Sequence, residues 1–226
     1  MRKNVFILCC LGMVILLNHS AFSQKITIEK SYPEAFLRAY DNYVNKNYAA
    51  SFEQFSALVE QTPQDREELL QDIMFYRASS AYEMMNKDAD ALLCEFISLC
   101  PQSAHCNEAY FLLANFYARG ERYDQAIEVY SKMNVAILNQ DDKFEYYYKR
   151  GHCLFMLNRY DEALEEFDKV KDAKSKFAAP STYFYAHILY EQGRYNLALK
   201  EFLTLQEDKS FGKIVPYYIA HIYYYQ

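Results

Sequence analysis

Apolar residues recur along most of this chain at spacings of three and four, the period of an α-helix. Phe52, Phe55 and Leu58 follow this spacing, and Thr62-Pro63 then ends the segment, because proline cannot continue a helix. No stretch shows the sustained alternation of a β-strand. The pattern predicts an all-α protein. The predicted helices are 36–45, 48–60, 69–85, 89–100, 107–119, 123–133, 144–157, 160–170, 181–191 and 195–205.

The pattern itself repeats about every 35 residues. Segments 123–130, 160–167 and 195–202 each begin with Tyr, carry Ala at the fourth position and end in an aromatic residue. The alanines are Ala126, Ala163 and Ala198, separated by 37 and 35 residues. A period of this length is typical of stacked helical hairpins, each of which cannot bury its apolar face alone.

The connections inside the last three complete hairpins are short, which makes their two helices antiparallel. Gly120, Asn158 and Gly193 lie in these connections, and Gly and Asn are the residues that most readily take the left-handed conformation at a helix end. We therefore expect these three residues to be left-handed. The alanine of each second helix leaves room for the first helix to pack closely.

The N-terminal segment 1–23 has the pattern of a cleaved secretory signal peptide. Arg2 and Lys3 precede an apolar run at 5–17, and Ala21-Phe22-Ser23 offers small residues for cleavage before Gln24. A membrane anchor is the alternative, but the run is shorter than the about 20 residues that a span needs. Lipid attachment at Cys9 or Cys10 is a second alternative, although neither follows the small residue expected there. With the signal removed, we expect no integral membrane span.

Composition and cysteine spacing exclude several kinds of site. The net charge is −6 and no long basic run occurs, so nucleic acid is not an expected partner. Cys94, Cys100, Cys106 and Cys153 lack the paired spacing of a zinc site, and we expect no metal. Cys100 and Cys106 flank a predicted loop and could form a disulfide in an oxidising compartment, or all four could be small core residues. No catalytic motif or phosphate-binding loop occurs, so we expect neither an enzyme nor a cofactor.

These residues resemble the tetratricopeptide repeat family. The family pattern has a small residue in the first helix, a larger residue after it, a Gly or Asn turn, then Tyr, Ala and an aromatic residue in the second helix. The matching residues are Ala114, Gly151, Ala186 and Ala220 for the small position, Tyr117, Leu154, Leu189 and Tyr223 for the next, and Tyr130, Phe167 and Phe202 for the aromatic position. The resemblance implies a right-handed superhelical solenoid of antiparallel helical hairpins.

The resemblance covers nearly all of the chain after the signal. Tyr48, Ser51 and Phe55 match with Ser in place of Ala, and Ala89, Leu93 and Phe96 match with an altered turn. The joint at 101–103, followed by Glu108-Ala109, resembles that of exported bacterial envelope proteins of this family. We expect a linker at 24–34, an array of about five hairpins at 35–212, and the first helix of an incomplete sixth repeat at 213–226.

One set of first-helix residues forms a candidate groove. In this family the residue after the small position faces the concave side, and in this sequence aromatic residues also stand three before and four after most of the small positions. The set comprises Phe111, Asn115, Tyr148, His152, Phe155, Tyr183, His187, Tyr190, Tyr217, His221 and Tyr224. Aromatic rings give contact area at low entropic cost, and imidazoles give directional hydrogen bonds. The alternative is that these rings pack between neighbouring helices and bind nothing.

Together these features predict an exported scaffold in the periplasm or at the outer-membrane periphery of a Gram-negative bacterium. Its groove would bind a peptide or helix of a partner protein in the cell envelope. Two alternatives remain open. The chain could bind glycans, since sugar faces stack on tyrosine, or it could be the non-catalytic front part of a longer protein.

Overall fold

Helices form all the regular secondary structure in residues 32–226, the part of the chain that this computed structural model describes. The predicted signal peptide lies outside the described residues. The helices are α1 (Glu34–Val44), α2 (Tyr48–Gln61), α3 (Glu67–Glu83), α4 (Ala89–Leu99), α5 (Cys106–Arg119), α6 (Tyr123–Tyr130), α7 (Gln140–Met156), α8 (Tyr160–Asp168), α9 (Ala178–Glu191), α10 (Tyr195–Thr204) and α11 (Val215–Tyr225), with a 3-10 turn at Val135–Ile137. The prediction of an all-α protein is confirmed.

The helices pair into five hairpins, and α11 follows the fifth. In each hairpin, from α1/α2 to α9/α10, the two helices pack along their length, and the second helix then packs on the first helix of the next hairpin. First helices of successive hairpins also contact one another, from α1 to α9, whereas extensive contact between successive second helices is absent from residues 32–226. The first helices are therefore more closely spaced, so the stack curves with them on its inner side.

In each hairpin the second helix packs closely against a small residue near the middle of the first helix. We call the position of this residue the small position. These residues are Ala39, Ala78, Ala114, Gly151 and Ala186, and all are buried. The facing residues on the second helices are Ser51, Ala89, Ala126, Ala163 and Ala198, and none of them is accessible to solvent. The predicted close packing at the alanines of the second helices is confirmed.

Every hairpin turn contains one left-handed residue, seven positions after the small position. These residues are Lys46, Met85, Glu121, Asn158 and Gly193. The predictions for Asn158 and Gly193 are confirmed, and the prediction for Gly120 is wrong, because Gly120 has φ −85° and Glu121 has φ 56°. The distance from the small position decides which residue becomes left-handed, even where a glycine is adjacent.

Aromatic rings join one hairpin to the next. At three of the five junctions, the aromatic residue of a second helix stacks on a ring two residues before the small position of the following first helix. The stacked pairs are Phe55 with Tyr76, Phe167 with Phe184, and Phe202 with Tyr218, with ring centroids 5.7, 5.6 and 4.9 Å apart. These stacks help to fix the positions of α3, α9 and α11, and with them the side chains that face the inner side.

The first helices of the five described hairpins all begin earlier than the apolar pattern predicts, and α7 and α9 do so by three or more residues. Helix α7 begins at Gln140, not at residue 144, because the Asn139 side chain accepts a 2.9 Å hydrogen bond from the Asp142 backbone N–H and caps the helix. Helix α9 begins at Ala178, not at residue 181. Pro180 lies in its first turn, where a helix does not use the backbone N–H that proline lacks.

Candidate functional site

The predicted groove residues lie on four first helices, α5, α7, α9 and α11, and the structure divides them into two groups. Phe111 and Asn115 of α5 are buried. The oxygen Oδ1 of Asn115 accepts a 2.7 Å hydrogen bond from the hydroxyl of Tyr130, which is also buried. On α7, α9 and α11 the predicted residues are half-buried or exposed. The surface that a partner could reach therefore begins at α7.

The aromatic residues three positions before the small position stack on rings of the next hairpin. The ring of Tyr148 lies 5.3 Å from Phe177, and that of Tyr183 lies 4.8 Å from Phe211, each nearly parallel to its partner. Both partners come just before the next first helix. Tyr217 on α11 is 70 % exposed. The stacks hold Tyr148 and Tyr183 in place while leaving part of each ring exposed.

The three histidines after the small positions lie between rings. His152 meets Phe184 edge to face at 5.2 Å, and His187 meets Tyr218 in the same way at 5.5 Å. His221 lies parallel to Tyr217, and its Nδ1 is hydrogen-bonded to the hydroxyl of Tyr190. The predicted row of imidazoles therefore exists on α7, α9 and α11, and every member is half-buried.

The third group lies four residues after the small position. Phe155 contacts Phe184 at 5.0 Å, and Tyr190 contacts Tyr218 at 5.2 Å. Tyr224 is 85 % exposed. The three groups merge into one continuous surface, which we call the aromatic surface. It comprises Tyr148, His152, Phe155, Tyr183, His187, Tyr190, Tyr217, His221 and Tyr224.

Four further rings support this surface, and none of them is among the predicted groove residues. Phe184 and Tyr218 lie two residues before the small position, and Phe177 and Phe211 lie nine before it. All four are half-buried and contact members of the aromatic surface. The sequence does contain an indication of these four rings, because each pair recurs after 34 residues, close to the period of the hairpins. They were missed because the prediction considered only the positions that are expected to face the groove.

Burial controls the charge of two of the histidines. It lowers the pKa of His152 and His187 below the ordinary value of 6.5, because a charged imidazole loses its hydration there. Glu191 partly opposes this effect on His187, with its Oε1 3.9 Å from Nε2. The Nδ1 of His187 is buried and has no hydrogen-bond partner among the described residues. At neutral pH the aromatic surface therefore presents uncharged rings at these two positions.

The first helices nearer the N-terminus carry carboxylates where α9 and α11 do not. Asp72, Glu108 and Glu145 each lie six residues before a small position. Burial, and then the charge of Asp142, raises the pKa of Glu108 to about 8. Burial and the charges of Glu145 and Asp141 raise the pKa of Asp142 to about 6. The inner side thus changes from carboxyl groups near α5, of which Glu108 is mostly protonated at neutral pH, to aromatic rings near α11.

Between residues 32 and 226, His, Cys, Asp and Glu side chains form no group of three or more arranged to hold a metal ion. None of the helices in that range is both long enough and apolar enough to cross a bilayer.

Comparison with known proteins identifies the repeats. The tetratricopeptide repeat family matches the chain at residues 108–132 and again at residues 144–173. These ranges contain most of the α5/α6 hairpin and most of the α7/α8 hairpin. A search of curated protein sequences finds no significant match.

Solved structures share the fold at low sequence identity. MamA from AMB-1 is 18 % identical over 77 % of this chain and 97 % of its own, with a TM-score of 0.61. A tetratricopeptide repeat protein from Parabacteroides merdae is 18 % identical over 84 % of this chain and 72 % of its own, with a TM-score of 0.64. YrrB, described as a tetratricopeptide repeat protein with an unusual peptide-binding site, is 18 % identical over 76 % of this chain and 82 % of its own, with a TM-score of 0.61. Residues 108–132 and 144–173 therefore match tetratricopeptide repeats, and the chain shares the fold of solenoids built from such repeats.

Proposed function

We propose that this protein is an exported scaffold of the bacterial cell envelope that binds an extended peptide or a helix of a partner protein on its aromatic surface. The observation that carries the proposal is the continuity of that surface across α7, α9 and α11. Its rings are held by stacking in successive hairpins, and it ends in the exposed Tyr217 and Tyr224. A rigid array of half-exposed tyrosines offers large contact area at low entropic cost, as binding surfaces do.

The chemistry of the surface favours a peptide with apolar or aromatic side chains. His152 and His187 are uncharged at neutral pH, so they do not require a charged partner. A neutral imidazole carries one N–H donor and one acceptor, but Nδ1 of His187 is buried and is therefore not available to a ligand. YrrB, which shares the fold, is described as having a peptide-binding site. Asp142, at the start of α7, has a pKa of about 6 and is mostly charged at neutral pH, so it would favour a peptide that carries basic residues at one end, and salt would then weaken binding.

The glycan alternative depends on the exposure of Tyr217 and Tyr224. Flat, accessible tyrosine rings can stack on sugar faces, and binding of that kind would depend little on salt. The two candidates therefore differ in their response to ionic strength.

The test is a selection with a displayed library of peptides about 12 residues long, accompanied by a glycan array. The double variant Tyr217→Ala with Tyr224→Ala removes two exposed rings and should leave the fold intact. Tyr223→Ala is the matched control, because Tyr223 is exposed on the same helix but points about 100° away from Tyr224. We expect the wild type and the control to select a shared peptide motif that the double variant does not select.

Two results would contradict peptide binding on this surface. One is a motif that the double variant selects equally well. The other is no selected motif together with glycan binding that the double variant loses, which would support the glycan alternative.

Export is a separate part of the proposal, supported by the residues of segment 1–23. Cleavage after Ser23 would give a mature protein that begins at Gln24. N-terminal sequencing of the protein recovered from its native cells tests this directly. A membrane-embedded protein that still begins at Met1 would contradict it.

A further inference from the structure

Helix α9 carries Tyr190 and Glu191 four and five residues after its small position. Among the first helices described, only α3 also has tyrosine followed by glutamate at these two positions, as Tyr82 and Glu83. Both helices end at the glutamate. The two pairs have the same register in the stack, so their surroundings can be compared directly.

In α3 the tyrosine of this pair already holds a cation. The guanidinium group of Arg119, on the next first helix, lies 4.5 Å from the centre of the Tyr82 ring. A guanidinium group is attracted to the face of an aromatic ring, and the charge of the adjacent Glu83 adds to the attraction. The chain therefore occupies this pair with one of its own arginines.

In α9 the equivalent pair holds no cation of this chain. Tyr225 of α11 has the position that Arg119 has on α5, five residues after the small position, and its ring stacks on Tyr195 at 5.6 Å. Helices α9 and α11 contain no Lys or Arg, and Glu191 is the only Asp or Glu in them. Within residues 32–226, no Lys or Arg lies over the ring of Tyr190 or forms a salt bridge with Glu191.

The carboxylate of Glu191 is accessible, and the histidine beside it does not neutralise it. Its side chain is 49 % exposed, and its Oε1 lies 3.9 Å from Nε2 of His187. Burial lowers the pKa of His187, so this imidazole is mostly uncharged at neutral pH. The hydroxyl of Tyr190 is hydrogen-bonded to Nδ1 of His221, which holds the Tyr190 ring in place. A fixed ring and an unbalanced negative charge therefore stand side by side.

We propose that Tyr190 and Glu191 form a subsite for an arginine side chain of the partner peptide. The inference rests on the proposed function, because it names one side chain of the ligand that the aromatic surface binds. The guanidinium group would lie against the Tyr190 ring, as Arg119 does on Tyr82, and would donate two parallel hydrogen bonds to the carboxylate. Lysine would bind less well, since an ammonium group cannot make this paired contact.

The subsite is separate from the carboxylate of Asp142. Asp142 lies in the first turn of α7, whereas Glu191 is the last residue of α9. First helices run in the same direction through the stack, so the two carboxylates lie at opposite ends of the inner side. A replacement of Glu191 therefore leaves Asp142 unchanged.

The experiment compares displayed libraries of peptides about 12 residues long. The seventh position is fixed as Arg in one library and as Gln in the other, and the remaining positions are random with Arg and Lys left out. We expect the wild type to enrich the Arg library about tenfold over the Gln library, from one cation–π contact together with one ion pair. A library with Lys at the fixed position should be enriched less than the Arg library.

Variants of the two residues test their roles. Glu191→Gln should abolish the preference for Arg, and Glu191→Lys should shift the preference to a library with Glu at the fixed position. Tyr190→Leu, which removes the ring, should weaken the preference for Arg. Glu165→Gln removes the same charge from an exposed position on α8 and is the matched control, which should behave as the wild type does.

The outcomes distinguish this subsite from peptide binding itself. Equal enrichment of the Arg and Gln libraries would overturn the subsite and leave peptide binding in place. A preference for Arg that persists in Glu191→Gln would do the same. Enrichment of neither library would contradict peptide binding on the aromatic surface and would overturn the subsite with it.

Discussion

The hydroxyl of Tyr130 on α6 donates a 2.7 Å hydrogen bond to Oδ1 of Asn115 on α5, and both side chains are buried. Removing one partner leaves the other without a hydrogen bond in the interior. We expect Asn115→Ala to lower the free energy of unfolding by roughly 1–3 kcal/mol, measured by urea denaturation. In combination with Tyr130→Phe, the second change should cost less than it does alone. Strictly additive losses would show that the two groups are not coupled.

The small position of α7 gives a second prediction. Replacing glycine by alanine inside a helix usually stabilises it by about 0.5–1 kcal/mol. At Gly151 the new Cβ would lie 2.9 Å from Cε1 of Phe167 and 3.1 Å from Cβ of Glu166, which is too close. We therefore expect Gly151→Ala to destabilise the protein by roughly 1–3 kcal/mol in spite of the helix preference. Adding Phe167→Leu should recover part of the loss, whereas a higher melting temperature for Gly151→Ala alone would show that the contact is loose.

The left-handed turn residue gives a third prediction. Glu121 has φ 56°, a conformation that costs a non-glycine residue about 1 kcal/mol. Glu121→Gly should therefore stabilise the protein by roughly 0.5–1 kcal/mol, read from thermal melts. Gly120→Ala is the matched control and should be well tolerated, because the added Cβ meets nothing closer than 3.5 Å. Gly193→Ala should in contrast be destabilising, because Gly193 is the left-handed residue of its own turn. If Gly120→Ala destabilised the protein and Gly193→Ala did not, the rule that the left-handed residue lies seven positions after the small position would be contradicted.

The half-buried carboxyl of Glu108 gives a prediction about pH. Its pKa is raised from 4.5 to about 8, so between these values the folded state binds a proton that the unfolded state has lost. The stability that this group contributes is complete below pH 4.5 and is lost as pH rises to 8. We expect Glu108→Gln to be more stable than the wild type at pH 9 by roughly 1–3 kcal/mol, with little difference at pH 5. The exposed Glu165→Gln should show no such difference between the two pH values.

The histidines of the aromatic surface give a prediction about ligand binding. Burial lowers the pKa of His152 and His187 below 6.5, so at pH 6.5 more of each imidazole is neutral than charged. A peptide that binds the neutral rings should therefore reach half of its loss of affinity below pH 6.5. Titration of affinity against pH for the wild type and for His187→Gln tests this, since the variant should lose less affinity in acid. A midpoint at pH 6.5 or above, unchanged in the variant, would contradict it.

The ends of the helices were predictable from the sequence where the apolar pattern continues to the end of the helix, and less predictable where a polar residue determines the end. The repeat of about 35 residues predicted the position of every hairpin, because each hairpin must bury one side of both of its helices. The start of α7 was missed because Asn139 caps it, and the residues between this cap and Phe144 are polar. The left-handed residue at Glu121 was missed because glycine stands next to it, and local preference is weaker than the packing that fixes the turn.

The positions of the aromatic surface along the chain were predictable from the sequence, but the solvent exposure of its side chains was not. The same register places Phe111 and Tyr217 at equivalent sites, yet Phe111 is buried and Tyr217 is exposed. The difference comes from neighbours in space. The ammonium group of Lys149 lies 4.9 Å above the Phe111 ring, whereas Tyr217 is covered by no later helix among the described residues. The helical period determines the direction in which a side chain points, whereas its solvent exposure depends on the residues of the neighbouring hairpin that pack on it.

The five left-handed residues have a consequence for how this chain can change over time. A turn that lysine, methionine, glutamate, asparagine and glycine all adopt at the same distance from the small position does not depend on its own residue type. Four of the hairpins also keep five residues from that turn to the facing small residue of the second helix, and only α3/α4 keeps four. Those four are interchangeable units, so a gene duplication that adds one of them would lengthen the protein without any new turn having to evolve. A second copy of α3/α4 would bring its shorter turn and offset its second helix by one residue.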